Sequence, residues 1–160
     1  MMMASDYTPK RLFTIDEANH MLPLVRAIVA DLMQLSQQVI DTRRRLDHLT
    51  RGRDMSEGDP YDDELADVER GLEKDTRQLQ EYVNELRDLG VEPKGLAEGL
   101  VDFPALLDDR IVFLCWKHGE EEVTHWHDID SGFAGRQPLV AGAFHGDLSE
   151  NSPGNDWLAT

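Results

Sequence analysis

The residues of this chain that could do chemistry crowd into one stretch, Leu100 to Leu139, LVDFPALLDDRIVFLCWKHGEEEVTHWHDIDSGFAGRQPL. It holds the single cysteine, Cys115, and two histidines one residue apart, His125 and His127. At that spacing on a strand two imidazoles share a face and can chelate a metal ion, with Asp102, Glu120 or Asp128 as third ligand. The pattern stops at two ligands, so His125, His127 and Glu120 make a sparse metal set. Histidines hydrogen-bonded at a sheet rim fit it better. His127 with Asp102 or Glu120 could also serve acid–base or metal-assisted hydrolysis. Cys115 lies in an apolar run without a base beside it, which describes an inert core thiol.

The loop Gly132-Phe133-Ala134-Gly135-Arg136 is the other candidate. Its glycines let backbone approach a ligand while Arg136 forks onto a carboxylate, and the same arginine could equally tie the loop to Asp128 or Asp130. Its spacing matches no phosphate loop, and nothing in the chain calls for a cofactor or names a catalytic residue.

An antiparallel meander positions these groups. Leu100 to Phe103 reads as a short strand stopped by Pro104, Ile111 to Trp116 as a buried strand, and Val123 to His127 as its return. A tight turn at His118-Gly119 pairs Trp116 with Glu121 and Leu114 with Val123. That register puts His125 and His127 on the face of Leu114 and Trp116, and Cys115 on the other with Trp126. A slip of one residue reverses the assignment. Glu120 at the turn and His127 at the strand end lie ~20 Å apart. Two clusters follow: His127, Arg136 and Asp102 in one, Glu120 in the other, completed there by another subunit.

The chain before the stretch is scaffold. Thr14-Ile15-Asp16-Glu17 is a capping box, and Pro23 kinks the helix it opens or divides it in two. Val25, Ile28, Leu32, Leu35, Val39, Thr42, Leu46 and Leu49 alternate at spacings of three and four. The alternation resumes from Leu65 to Leu89 with Asp75 as its discordant member, and Gly90 caps the end. The two runs form an antiparallel helical hairpin about a polar loop from Thr50 to Tyr61. Arg43-Arg44-Arg45 and the acidic run beyond it read as a solvated hairpin tip. A second apolar row on the first helix, Val29, Met33 and Ile40, needs cover from the sheet or from another subunit.

The expected fold is therefore α+β: a long antiparallel helical hairpin (14–90) packed on a small antiparallel β-meander with its Gly-rich loop (91–141). Together they make one domain, 11–141, between disordered tails at 1–10 and 142–160. A net charge of −16 excludes nucleic acid and anionic membrane as partners. No apolar run reaches the ~20 residues of a membrane span. The opening residues do not form a secretion signal, and a single cysteine suits a reducing cytosol, so a cytoplasmic protein is expected.

Four motifs in order carry a resemblance: F-T-x-x-E-A-N at Phe13–Asn19, G-L-V-D-F-P-A at Gly99–Ala105, L-C-W-x-x-G-E at Leu114–Glu120, and W-H-x-x-x-x-G-F-x-G-R at Trp126–Arg136. From Leu12 to about Leu139 the chain is similar to a prokaryotic family catalogued as domain of unknown function 2203. The resemblance implies a small soluble protein and no particular activity. It directs attention to Trp116, Glu120, Trp126, His127, Gly132, Phe133, Gly135 and Arg136 rather than to His125 or Cys115. The functional expectation is a non-enzymatic binding or assembly protein, homodimeric through the first helix. Its small-anion site would be built from His127, Arg136, Asp102, Trp126, Gly132, Phe133 and Gly135.

Overall fold

The structure, a computed structural model, describes residues 7–51 and 62–139; residues 1–6 of the expected tail at 1–10, the expected tail at 142–160 and most of the hairpin loop lie outside them. Helix α1 runs from Ile15 to Thr50 and α2 from Asp62 to Asp88. Five strands follow, β1 (Glu92–Gly95), β2 (Leu100–Leu107), β3 (Arg110–Lys117), β4 (His125–Asp128) and β5 (Gln137–Pro138), with a short 3-10 helix at Phe133–Gly135. All neighbours are antiparallel, in the order β1-β2-β3-β4-β5. The architecture is α+β, a helical hairpin followed by an antiparallel meander.

The helix ends follow the local chemistry. The Glu17 amide donates to Thr14 Oγ1 at 3.0 Å and the Thr14 amide to Glu17 Oε1 at 3.0 Å, so the box satisfies two otherwise orphaned donors. At the far end of the hairpin Gly90 takes φ 91°, its amide donates to Arg87 O, and the Val91 amide to Leu86 O. That is a Schellman cap, which requires the left-handed conformation glycine adopts freely. Pro23 neither ends nor divides α1, which continues through it.

Two sequence-derived boundaries need correction. Pro104 does not stop β2, which extends to Leu107. Beyond Asp102 the outer edge of β2 has left β1, and there Pro104 O accepts from the Phe13 amide at 2.7 Å. In an antiparallel strand the N–H of a residue points the same way as its carbonyl, so the missing proline donor falls on that outer edge and breaks no bond to β3. The second correction is the register of β3 and β4. Phe113 pairs with His127 and Cys115 with His125, three residues away from the expected pairing, an odd shift that reverses which face of β4 meets which face of β3. The connection is longer and odd in length, and tertiary bonds hold it: Trp116 Nε1–H donates to Glu120 O at 3.0 Å and the Val123 amide to Asn19 Oδ1 at 2.7 Å.

The sheet buries both faces. Val101, Phe103, Val112, Leu114 and Trp116 join Leu22, Val25, Leu32 and Leu86 in the helix-side core. Asp102, Phe113, Cys115 and His127 are also buried but alternate onto the opposite face. Tyr7 lays its ring edge on Phe113 there, centroids 5.5 Å apart.

The second apolar row of α1 is covered by the sheet at Val29 and Met33, which close on the buried turn at Gly99. A Cβ at Gly99 would meet Met33 Sδ at 2.6 Å and His118 Cβ at 2.7 Å, and φ there is +73°. Gly99→Ala should therefore lower stability by about 1–3 kcal/mol, read as a shift of the urea midpoint. An unchanged midpoint would show that this seam is loosely packed. Near the hairpin tip Arg45 and Glu64 join the two helices at 2.9 Å, as expected of local charge balance on a solvated surface.

Candidate functional site

β2, β3 and β4 bring three different donors together on the second face. Asp102 pairs directly with Cys115 across β2 and β3, and His127 lies diagonally beyond, over Phe113 with ring centroids 5.6 Å apart. One carboxylate oxygen, the thiol sulfur and His127 nitrogen all lie within 4.8 Å of one another. Their residues are 2%, 1% and 2% exposed, so the cluster is buried. The reversed register overturns the expectation that Cys115 stands apart from His127.

Both nitrogens of His127 are engaged. Nδ1 lies 2.7 Å from Asp128 O, and Nε2 lies 3.0 Å from each Asp102 carboxylate oxygen. A carbonyl and a carboxylate can only accept, so without a metal the ring donates from both nitrogens and is an imidazolium. Burial alone would lower its pKa. The Asp102 hydrogen bond, the Cys115 sulfur, the Asp128 carbonyl and the Asp102 charge outweigh burial and raise it to about 10. Tyr7, above Phe113, has its phenol pushed up to about 12 by burial and by the charges of Glu92 and Asp102.

This arrangement fails as a cysteine nucleophile and base. A general base needs an unprotonated nitrogen aimed at the sulfur, with the other nitrogen held by the carboxylate. Here Nε2 faces Asp102 and Nδ1 a backbone carbonyl, so neither nitrogen is left as an unprotonated base, and the thiol is enclosed. What the geometry does resemble is a metal centre in its proton-loaded form. Nδ1–H held by a backbone carbonyl leaves Nε2 as the ligand atom, the usual outer-shell arrangement of a ligating histidine. Ligands around tetrahedral zinc stand ~3.3–3.8 Å apart, so closing the 4.8 Å cluster onto an ion needs only small side-chain movements.

Arg136 belongs elsewhere. Its guanidinium lies 2.9 Å and 3.1 Å from the Glu120 carboxylate oxygens and 4.6 Å from the Phe133 ring centroid. Glu120 also accepts from the Lys117 amide at 3.0 Å. The expected grouping of Arg136 with His127 and Asp102 is therefore replaced by Arg136 with Glu120, completed within one chain. Neither Asp128 nor Asp130 holds this arginine; Asp128 pairs with Arg110 at 3.0 Å. The cleft of about 700 Å³ beside the loop is lined by Asp109, Asp128 and Asp130 around that paired Arg110. It offers little to an anion. Gly132 supplies a positive φ of 67° to the loop and Gly135 packs closely on Ser131, while Trp126 is half-buried against the helix-side core. The resemblance motifs thus hold structural anchors as well: Thr14 and Glu17 cap α1, Asn19 ties it to the connection before β4, and Trp116, Glu120 and Arg136 fix the loops.

Fold and site define a small α+β protein with a buried mixed-donor cluster on the sheet face away from its helical hairpin. The chain belongs to the family described as uncharacterized conserved protein (DUF2203), whose profile matches residues 11–139. No curated protein and no solved structure matches it. No helix among the described residues is long and apolar enough to cross a membrane.

Proposed function

We propose that this is a cytoplasmic, non-enzymatic binding protein that holds one divalent transition-metal ion of the zinc class at Asp102, Cys115 and His127. The observation that carries the reading is the convergence of an oxygen, a sulfur and a nitrogen donor within 4.8 Å on three adjacent strands. Nitrogen and thiolate donors select zinc-class ions over magnesium or calcium, which take oxygen. A thiolate ligand also suits a reducing compartment. Binding replaces the proton on His127 and the thiol proton of Cys115, so uptake should strengthen as pH rises. Two features favour binding over hydrolysis: the donors are enclosed, and the free arginine an anionic substrate would need is neutralised by Glu120. Homodimerisation through α1 is not needed to cover Val29 and Met33, and it would fall to the outer part of the helix around Ile40.

Protein purified without a histidine tag and assayed by elemental analysis should carry or take up one zinc per chain. Cys115→Ser should reduce zinc affinity at least tenfold. Protein that remains metal-free at micromolar zinc, or a Cys115→Ser variant that binds as wild type does, would overturn the reading.

A further inference from the structure

We infer that His125 is the fourth donor of the Asp102–Cys115–His127 centre, so that the bound ion is closed off from water and structural rather than catalytic. The inference rests on the metal reading above and names what completes it.

The ladder supplies the placement. Asp102 pairs with Cys115 across β2 and β3, and Cys115 with His125 across β3 and β4, which makes one straight cross-strand row. Residues directly opposite in an antiparallel pair project to the same face with Cβ atoms ~4.5–5.5 Å apart. His127, two positions along β4, shares that face with His125. All four side chains therefore stand on one face of three neighbouring strands.

The state of His125 suits a ligand in waiting. It is half-buried, and its Nδ1 lies 2.9 Å from the exposed Thr124 hydroxyl. Its Nε2 has no hydrogen bond among the described residues. Turning the ring toward Cys115 exchanges one exposed hydrogen bond, which water can replace, for a metal bond.

The other sources of a fourth donor are weaker. Glu120 is occupied by Arg136 and the Lys117 amide. Tyr7 packs on Phe113, one row away from Cys115. A water ligand needs an opening to solvent, and the three donor residues are at most 2% exposed. Two imidazoles, a thiolate and a carboxylate make a four-coordinate shell that zinc accepts without water.

Cobalt(II) reports this directly, because a thiolate ligand gives a near-ultraviolet charge-transfer band and a tetrahedral shell gives intense visible bands. Chelator-treated full-length protein titrated with cobalt should show both. His125→Ala should keep the charge-transfer band, lose several-fold in visible intensity, and bind cobalt at least tenfold more weakly. Added imidazole should restore the intensity in the variant. A variant whose spectrum and affinity equal those of wild type would overturn the role of His125 while leaving the three-donor site intact. Wild-type protein without a charge-transfer band would overturn the metal reading itself, and this inference with it.

Discussion

Asp102→Ala should reduce the stability of the metal-free protein by about 3–5 kcal/mol, because it leaves a buried imidazolium without its counter-charge. The side chains of His127 and Asp102 are 3% and 2% exposed, so water cannot take over the lost role. The folded-state pKa of His127 is raised, to about 10 from an ordinary 6.5. A raised pKa means that the pair contributes its full stability below pH ~6.5 and loses it progressively as pH climbs through ~10. Urea unfolding in the presence of a chelator should therefore show wild type losing stability across that window. The difference between wild type and Asp102→Ala should shrink in parallel. A difference that is constant with pH would mean that His127 is neutral throughout. The double replacement Asp102→Leu, His127→Leu should recover much of the loss, since apolar groups of similar volume often replace a buried ion pair without penalty. If the double variant is as unstable as Asp102→Ala, the damage comes from packing rather than charge.

The same residues mark where sequence reasoning stops. The hairpin was legible because its causes are local or periodic: Thr14 and Glu17 are three residues apart, the apolar stripe repeats within each helix, and Gly90 caps a helix that ends beside it. Strand β3 was legible because its apolar run has strand length. The register between β3 and β4 was not, because it depends on the length of the connection after Trp116. That length is held by bonds to groups remote in sequence, of which Asn19, 104 residues from Val123, is the clearest. The shift here is three residues, and its odd parity decides whether Cys115 and His127 share a face. The alternation of Phe113 and Cys115 with Val112, Leu114 and Trp116 was the available signal. A strand apolar on both faces needs cover on both, so a buried layer on the second face follows from β3 alone. The pairing of Arg136 with Glu120 was likewise hidden, because a loop arginine has several carboxylates within reach and only the folded turn selects one.

Trp116→Ala should be as damaging as loss of Asp102, and for a different reason. The residue is fully buried, so truncation opens a cavity and should cost about 3–5 kcal/mol, against a typical total of roughly 5–15. Trp116 also holds the connection that sets the β4 register, since its indole N–H donates to Glu120 O at 3.0 Å. Glu120 in turn carries Arg136, and Arg26 donates to the next carbonyl, that of Glu121, at 3.3 Å. The two roles separate in a second variant. Trp116→Phe keeps most of the apolar volume but deprives the Glu120 carbonyl of its donor, and should lose only about 1–3 kcal/mol. Circular dichroism during urea unfolding measures both losses. Amide exchange should report the second role in Trp116→Phe, with faster exchange across residues 118–124 than at the centre of β3. If Trp116→Ala loses less than about 1.5 kcal/mol, the core around it collapses readily. If exchange in Trp116→Phe is unchanged, the indole bond does not hold the loop. The register that brings Cys115 to His127 then depends on the Asn19 and Arg26 contacts alone.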